Sequence, residues 1–295
     1  MKTLIIEKIE PKIIGELVTV GRILGETPDL LAIGQGEIPG TFNRAFQCRE
    51  TIAANLVDSL AELIQKNAYQ VILLSATTLG SEIAGRLGAR LKAPVLSEVI
   101  EVKPDMTVKR PVYGGKAVAE YKIPEGHVIL TIRRKYFEPA LLEGTSAAEA
   151  LTIENPSITL LSEDQIQTQG VRLEDAEIIV SGGRGMGDSG NFEILREMAG
   201  LLNAAVGASR GAVDEGWVPQ TMQVGQTGNI VAPAVYFAVG ISGASQHLAG
   251  IANAKCVVAV NKDEEANIFK RARFGIVSDY RNFIPVLIRA LREEQ

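Results

Sequence analysis

Residues 177–190 read EIIVSGGRGMGDSG, an apolar run that leads directly into a cluster of glycines. The apolar run predicts a buried strand at Glu177–Ser181, and the pattern beyond the glycines predicts a helix over Asn191–Asn203. A strand, a glycine-rich turn and a helix in this order are typical of one unit of a nucleotide-binding α/β sheet. The stretch therefore predicts the fold class of this part of the chain.

The glycines of this turn have the spacing of a phosphate-binding loop. Gly185, Gly187 and Gly190 satisfy G-x-G-x-x-G, which lets backbone N–H groups approach a pyrophosphate at the N-terminus of the next helix. Two alternatives stay open: a tight turn without a ligand, and a role for Asp188 as a helix cap. The spacing alone does not decide between them.

The residues after the second predicted strand bear on which nucleotide binds. That strand covers residues 204–208 and is followed by Ser209 and Arg210. An NAD-binding domain places an acidic residue here to hold the ribose hydroxyls, so NAD is disfavoured, whereas NADP stays open because arginine suits a 2′-phosphate. Arg184 and Arg210 follow adjacent predicted strands, so we expect an anionic ligand at this edge of the sheet.

Apolar runs on both sides of this segment extend the α/β pattern. Downstream, Tyr236–Ile241 and Cys256–Val260 are further predicted strands. Upstream, strands and helices alternate, which is typical of a parallel sheet flanked by helices. The predicted upstream elements are strands at Leu4–Ile6, Leu30–Ile33 and Val71–Leu74, and helices at Pro11–Leu24, Arg49–Lys66 and Leu79–Leu91.

The helical period disappears between residues 95 and 132. β-type runs at Thr107–Val112, Ala117–Tyr121 and Val128–Ile132 are separated by turn residues. They predict an antiparallel extension of the same sheet.

Length and a polar stretch together predict two domains. The chain has 295 residues, and the polar stretch Ser162–Gly170 is the best candidate for a boundary. We expect an α/β protein with an N-terminal domain, residues 1–165, built on a mostly parallel sheet with an antiparallel extension. Residues 166–295 are expected to form a C-terminal Rossmann-like domain.

The composition excludes several classes of protein. The net charge is −5 and the only cysteines are Cys48 and Cys256, which disfavours a nucleic-acid surface, a disulfide framework and a Cys-x-x-Cys metal site. His127 and His247, the only histidines, have neither metal-ligand spacing nor a nucleophile elbow. The N-terminus does not resemble a targeting peptide, and no run approaches the roughly 20 apolar residues of a membrane span. We expect a cytoplasmic protein with no metal and no catalytic residues of its own.

Six ordered segments of the second half are rich in small and polar residues. They are SGGRG (181–185), AAVGASRGAVDEGWVP (204–219), QVGQTG (223–228), VGISGASQHLAGI (239–251), VAVNKD (258–263) and GIVSD (275–279). Taken together, they resemble the FAD domain of the electron-transfer flavoprotein alpha subunit. The first half resembles the same family more loosely, through ATTLGSEIAGRLGARL (76–91) and RPVYGG (110–115).

The resemblance implies an electron carrier rather than an enzyme that acts alone. It implies one FAD, held in extended form by the second domain, and a heterodimer with a beta subunit that the first domain contacts. Electrons would pass between a flavin dehydrogenase and an acceptor such as a quinone oxidoreductase. The family includes simple and electron-bifurcating complexes, and this chain does not distinguish them.

The resemblance also implies roles for individual residues. Arg210 would lie beside the flavin ring and stabilise the negative charge of the reduced ring. Gln226 and Thr227 would form hydrogen bonds near N5 and O4, and His247 near O2. Arg184, Ser209 and residues 242–246 would line the phosphates and the neighbouring flavin edge, and Asn261 and Asp279 would reach the adenosine. The complete predicted set is Arg184, Ser209, Arg210, Gln223, Val224, Gly225, Gln226, Thr227, Ser242, Gly243, Ala244, Ser245, Gln246, His247, Asn261, Asp279 and Tyr280.

Two other functions remain compatible with the glycine turn. One is an NADP-dependent oxidoreductase or another nucleotide-binding enzyme that uses Arg210 for a phosphate. The other is a structural partner with AMP or no ligand in the cleft. A flavin absorbance spectrum of the purified protein separates the enzyme from the carrier. The structural partner predicts that Arg210→Ala leaves the reduction potential of any flavin unchanged, whereas the carrier predicts a fall.

Overall fold

The chain divides into two compact units, Met1–Glu163 and Asp164–Gln295. The computed structural model describes residues 1–25, 27–115, 117–123, 125–153, 156–162 and 171–294. The predicted boundary between residues 165 and 166 lies outside the described residues.

The first unit is an α/β unit with one long sheet and two small ones. Its large sheet has seven strands, all paired in parallel. Its strands are β1 Thr3–Lys8, β2 Asp29–Ile33, β3 Ile38–Pro39, β4 Ala45–Cys48, β5 Val71–Ser75, β6 Val95–Val99, β7 Glu101–Val102, β8 Thr107–Val112, β9 Ala117–Lys122, β10 Val128–Ile132, β11 Thr145–Ser146 and β12 Glu149–Ala150, and its helices are α1 Pro11–Ile23, α2 Ala53–Asn67 and α3 Thr78–Leu91. The order of the large sheet is β12-β4-β2-β1-β5-β10-β6.

Helices cover both faces of this sheet, which is why its central strands are apolar on both sides. Helix α1 packs on one face, where Leu17 meets Ile5 in the core. Helices α2 and α3 pack on the other face, where Leu56 and Leu87 join Leu4. The alternation of strands and helices predicted from the sequence is confirmed.

Two predictions about the first unit need correction. Helix α2 begins at Ala53 rather than Arg49, because the Glu50 carboxylate accepts hydrogen bonds from the backbone N–H groups of Thr51 and Ile52 and keeps that segment out of the helix. The antiparallel strands β7, β8 and β9 form a sheet of their own instead of extending the large one, whereas β10 returns to the large sheet in parallel.

The second unit is built on five parallel strands in the order β14-β13-β15-β16-β17. Its strands are β13 Ile178–Gly182, β14 Ala205–Ala208, β15 Val235–Val239, β16 Cys256–Asn261 and β17 Phe274–Val277, and its helices are α4 Glu193–Leu201, α5 Arg210–Asp214, α6 Ser245–Gly250 and α7 Tyr280–Glu293. The chain adds β14 on one side of β13 and then crosses to the other side for β15. The switch point of the sheet therefore lies between β13 and β15.

The helix predicted at Asn191–Asn203 is shorter in the structure. Two 3₁₀ turns, Arg184–Met186 and Ser189–Phe192, separate β13 from helix α4, which begins at Glu193. The Asp188 carboxylate caps the second turn by accepting from the backbone N–H of Gly190 at 2.8 Å. The role left open for Asp188 as a cap is confirmed, although it caps a 3₁₀ turn rather than α4.

Candidate cofactor site

A cavity of about 440 Å³ opens at the carboxyl edge of the second unit's sheet. Loops that follow β13, β14, β15 and β16 line it, together with the segment 223–227. Open parallel sheets bind ligands at this edge, and the volume is typical of small-molecule sites. The predicted cofactor residues that line it are Arg184, Ser209, Arg210, Gln223, Val224, Gly225, Gln226, Thr227, Ser242, Ala244, Gln246, His247 and Asn261.

A smaller cavity of about 40 Å³ adjoins the first one. Gly185, Gly240 and Asn261 line both cavities. Asp279 and Tyr280, also predicted for the cofactor, line the smaller cavity. The two cavities together give the site an extended outline along the edge of the sheet.

The switch point explains two glycines at the centre of the site. The backbone N–H of Gly185 donates to the carbonyl oxygen of Gly240 at 2.9 Å. A Cβ added to Gly185 would lie 2.7 Å from the Cα of Gly240, and Gly240 itself has φ +61°. Only glycine lets these two loops approach so closely.

The glycine pattern G-x-G-x-x-G contributes less to the site than its spacing suggests. Gly185 lines both cavities, but Gly187 and Gly190 line neither. Gly187 instead takes up φ +82° between the two 3₁₀ turns. The backbone N–H of Gly190 already donates to the Asp188 carboxylate. A negative side chain therefore lies where the glycine pattern predicts a phosphate.

Two guanidinium groups border the cavity. Arg184 follows β13 and Arg210 follows the neighbouring strand β14. Arg184 lies across Gly211, where an added Cβ would be 2.8 Å from the Arg184 Cγ. Arg210 pairs with Asp214 at 3.3 Å, and its side chain is 69% exposed. This exposed pair constrains Arg210 weakly, so its charge is free to meet an anion in the cavity.

Backbone hydrogen bonds fasten the segment 223–227 to the sheet and to α6. The N–H of Val224 donates to the carbonyl of Ala208, and the N–H of Gln226 donates to the carbonyl of Gln246, both at 2.8 Å. The buried Gln223 amide donates to the Thr227 hydroxyl oxygen at 3.0 Å. Since Thr227 accepts this bond, its own hydroxyl proton remains available to a ligand.

His247 is a buried ionisable group predicted for the site. Its Nε2 lies 3.1 Å from the hydroxyl of Tyr236, and the residue is only 6% exposed. Burial lowers the pKa of His247 to about 4, and the backbone of Val224 opposes this shift. The imidazole is therefore neutral at pH 7.

The polar residues at the far end of the site are already engaged with the backbone. Asn261 donates its side-chain amide to the carbonyl of Ile241 at 2.9 Å. Asp279 caps α7 by accepting from the N–H of Arg281 at 2.9 Å, and the Tyr280 hydroxyl donates to the carbonyl of Met186 at 3.0 Å. Asp279 retains one carboxylate oxygen for a ligand hydroxyl.

The predicted set differs from the lining of the two cavities in both directions. Gly243 and Ser245 line neither cavity; Gly243 is packed so closely that an added Cβ would lie 2.3 Å from the Ile268 nitrogen. The lining residues outside the predicted set are Gly185, Gly211, Gly240, Ile241, Val260, Lys262, Asp263, Ser278 and Arg281. Each lies within two residues of a predicted residue or a strand end, so extending every loop by one or two residues would have found them.

Two family models match the chain. The model of the electron transfer flavoprotein FAD-binding domain matches residues 172–252, and the electron transfer flavoprotein domain matches residues 47–158. The electron transfer flavoprotein subunit alpha of Pseudomonas aeruginosa is 40% identical over 275 residues, which cover 91% of this chain and 89% of the relative.

The chain belongs to the electron transfer flavoprotein alpha-subunit family. The subunit alpha of Mycobacterium leprae is similarly related, with 37% identity over 95% of this chain and 94% of the relative. That of Paracoccus denitrificans is 42% identical over 74% of this chain and 72% of the relative. The resemblance stated from the six segments is confirmed. This alpha subunit is a redox carrier with FAD as its cofactor, and its partner is a beta subunit.

The residues at the cavity fit the chemistry of FAD. Arg184 supplies a positive charge suited to a pyrophosphate, and Arg210 supplies one suited to a reduced flavin ring. Thr227 and Gln226 supply donors for the polar edge of a ring. Among the described residues, no group of three or more His, Cys, Asp or Glu side chains is arranged to hold a metal ion. No helix in the described ranges is long and apolar enough to cross a membrane.

Proposed function

We propose that the FAD of this alpha subunit lies in the cavity at the carboxyl edge of the second unit's sheet. One observation carries the proposal: Arg184 and Arg210 follow the adjacent strands β13 and β14 and line the same cavity. An anionic, extended cofactor suits this arrangement because both charges and the glycine contact face the same opening. In this proposal residues 166–295 form the FAD-binding domain, and residues 1–165 contact the beta subunit.

Within the cavity, FAD supplies the one- and two-electron chemistry, and the chain sets its environment. Arg210 provides a permanent positive charge beside the ring, which favours the added negative charge and raises the reduction potential. Gln226 and Thr227, the latter positioned by Gln223, would offer hydrogen bonds near N5 and O4. His247 borders the O2 edge.

The remaining predicted residues hold the rest of the cofactor. Ser209, Ser242, Ala244 and Gln246, together with Arg184, border the phosphates. Asn261 positions the loop beside the adenosine through its bond to Ile241. Asp279 accepts from a ribose hydroxyl with its remaining oxygen, next to Tyr280.

We propose that electrons pass through this FAD between a flavin dehydrogenase and an acceptor such as a quinone oxidoreductase. Among the described residues, the predicted site contains no nucleophile with an adjacent general base, which supports a carrier rather than a catalyst of substrate chemistry. The same chain serves a simple or a bifurcating complex, since a second flavin would belong to the beta subunit.

Counting the cofactors of the purified heterodimer tests this proposal. One FAD and one AMP per heterodimer are expected for a simple carrier, and two FAD for a bifurcating complex. A heterodimer that holds no FAD and binds NADPH tightly would contradict the carrier function. Mixing the FAD-loaded heterodimer with a reduced flavin dehydrogenase then tests the electron donor, because the flavin spectrum bleaches only if electrons are accepted.

A further inference from the structure

A chain of buried polar side chains leads from the centre of the second sheet to the cavity. Ser181 on β13 and Tyr236 on β15 are both 0% exposed, and they lie on neighbouring, paired strands. The Tyr236 hydroxyl lies 3.1 Å from Nε2 of His247, with the two rings tilted at 59°. His247 borders the cavity, so the chain ends at the cofactor site.

Which group donates in the hydrogen bond between Tyr236 and His247 follows from which of them carries a proton. Burial raises the pKa of Tyr236 far above neutrality, so the phenol keeps its proton. The Ser181 hydroxyl forms no hydrogen bond of normal geometry within the described ranges, so Nε2 of His247, at 3.1 Å, is the partner for the Tyr236 proton. Nε2 must then be unprotonated.

The second ring nitrogen of His247, Nδ1, bears on where the neutral imidazole carries its proton. Nδ1 of His247 is buried and lacks a hydrogen bond of normal geometry within the described ranges. The backbone of Val224 nevertheless raises the pKa of His247, which a nearby carbonyl oxygen does by accepting from the ring N–H. A neutral imidazole whose Nε2 accepts must carry its proton on Nδ1.

We propose that Tyr236 is a positioning residue that holds His247 as the neutral tautomer protonated on Nδ1, with Nε2 accepting from the Tyr236 hydroxyl. The proposal rests on the proposed function only in placing His247 beside the FAD, and the tautomer is a property of the protein alone.

The charges around the cavity are consistent with a neutral imidazole. Arg184 and Arg210 disfavour a second positive charge, Asp263 favours one, and all three lie on exposed parts of the lining. Tyr236 is the titratable group in direct contact with the ring. The positive field at the cofactor therefore comes from the two arginines and not from His247.

Nitrogen-15 NMR of the histidine-labelled heterodimer tests this tautomer, with FAD bound and with FAD removed. The His247 signals are assigned by their loss in His247→Asn. In the wild type we expect the Nδ1-protonated tautomer alone between pH 5.5 and 8. In Tyr236→Phe, which removes only the hydroxyl, we expect both tautomers to be populated and the protonation midpoint to move up towards the ordinary value.

Tyr69→Phe is the matched control. It also removes a buried tyrosine hydroxyl, which donates to Asp29 in the first unit, and it should leave the His247 signals unchanged. An Nε2-protonated or a charged imidazole in the wild type at pH 7 would overturn the proposal whether or not any variant folds. So would a Tyr236→Phe spectrum identical to the wild type. None of these outcomes depends on electron transfer, so they remain separable from failure of the proposed function.

Discussion

The carboxyl edges of the two parallel sheets are built from similar residue types but are used differently. In the first unit the polar groups satisfy one another: the buried Glu7 carboxylate accepts from the backbone N–H of Ser75 at 3.0 Å. Thr77 then caps α3 by accepting from the N–H of Gly80. In the second unit the loops after β13 and β14 instead present Arg184 and Arg210 to a cavity.

This contrast shows that the sheet provides the edge and the loops decide whether it binds a ligand. At a closed edge the hydrogen-bond donors and acceptors bond to one another within the protein. An open edge uses glycines to bring its loops close together and leaves an arginine only weakly paired. Four predictions test or sharpen this difference.

The largest effect is expected for Gly240→Ala at the switch point. The new Cβ would lie 2.9 Å from the backbone carbon of Gly185, at a residue with φ +61°. We expect a loss of about 3 kcal/mol in the free energy of unfolding and loss of bound FAD. Urea unfolding and the flavin content of the purified heterodimer measure both.

Gly85→Ala in α3 is the control in the first unit. No atom lies within 4 Å of the added Cβ, so this change should stabilise the helix by about 0.5–1 kcal/mol and leave FAD in place. Equal flavin content in the two variants would contradict the role of the switch point.

The second prediction concerns acid, to which the two edges should respond in opposite directions. His247 has a folded pKa of about 4, below its unfolded value of about 6.5. The stability from burying the neutral ring is complete above the unfolded pKa and is lost as pH falls towards the folded pKa. We expect the second unit to lose about 2 kcal/mol between pH 7 and pH 5.

The first unit should not share this loss. Burial raises the pKa of Glu7, and an acid with a raised folded pKa destabilises as pH rises through that value, so acid favours this edge. Amide hydrogen exchange in β13 and in β1, corrected for intrinsic rates at each pH, compares the two. A parallel decline in both units would refute the assignment of the acid sensitivity to His247.

The third prediction concerns the open charge at Arg210. In Arg210→Ala we expect the flavin reduction potential to fall by about 60 mV, the one-electron equivalent of about 1.4 kcal/mol. The value is modest because the arginine is exposed and screened. Arg210→Lys should retain part of the potential, and Arg90→Ala, an exposed arginine of the first unit, should retain all of it. Spectroelectrochemical titration of the three heterodimers decides the matter.

The smallest effect is expected where the two edges are alike, at their caps. Asp188→Ala removes the cap of a 3₁₀ turn, and Thr77→Ala removes the cap of α3. Each should cost about 1 kcal/mol in thermal unfolding without changing the affinity for FAD. A marked loss of FAD affinity in Asp188→Ala would restore the phosphate-binding interpretation of the glycine pattern.

The strands were predictable from the sequence because buried parallel strands are apolar runs, and β8 and β10 have the predicted bounds. The start of α2 was not, since it depends on the Glu50 carboxylate taking two backbone N–H groups. The division into a separate antiparallel sheet was not predictable either, because residue pattern does not reveal which strand pairs with which.

The candidate site was predictable where charges and glycines follow strands, as at Arg184 and Arg210. The site was harder to predict where contacts between distant parts of the chain determine the role of a residue. Gly243 looks like a ligand-binding glycine but is required by its contact with Ile268. Tyr236 was predicted only as part of a buried strand, and its contact with His247 depends on how β15 and α6 pack.

Hydrogen exchange of the heterodimer with and without FAD tests the central claim most directly. FAD should slow exchange in the loops at the open edge and leave the closed edge of the first unit, around residues 75–80, unchanged. The loops expected to be protected are 183–186, 209–211, 223–227, 240–247 and 261–263. Protection at residues 75–80 with none in these loops would contradict the placement of FAD in the second unit.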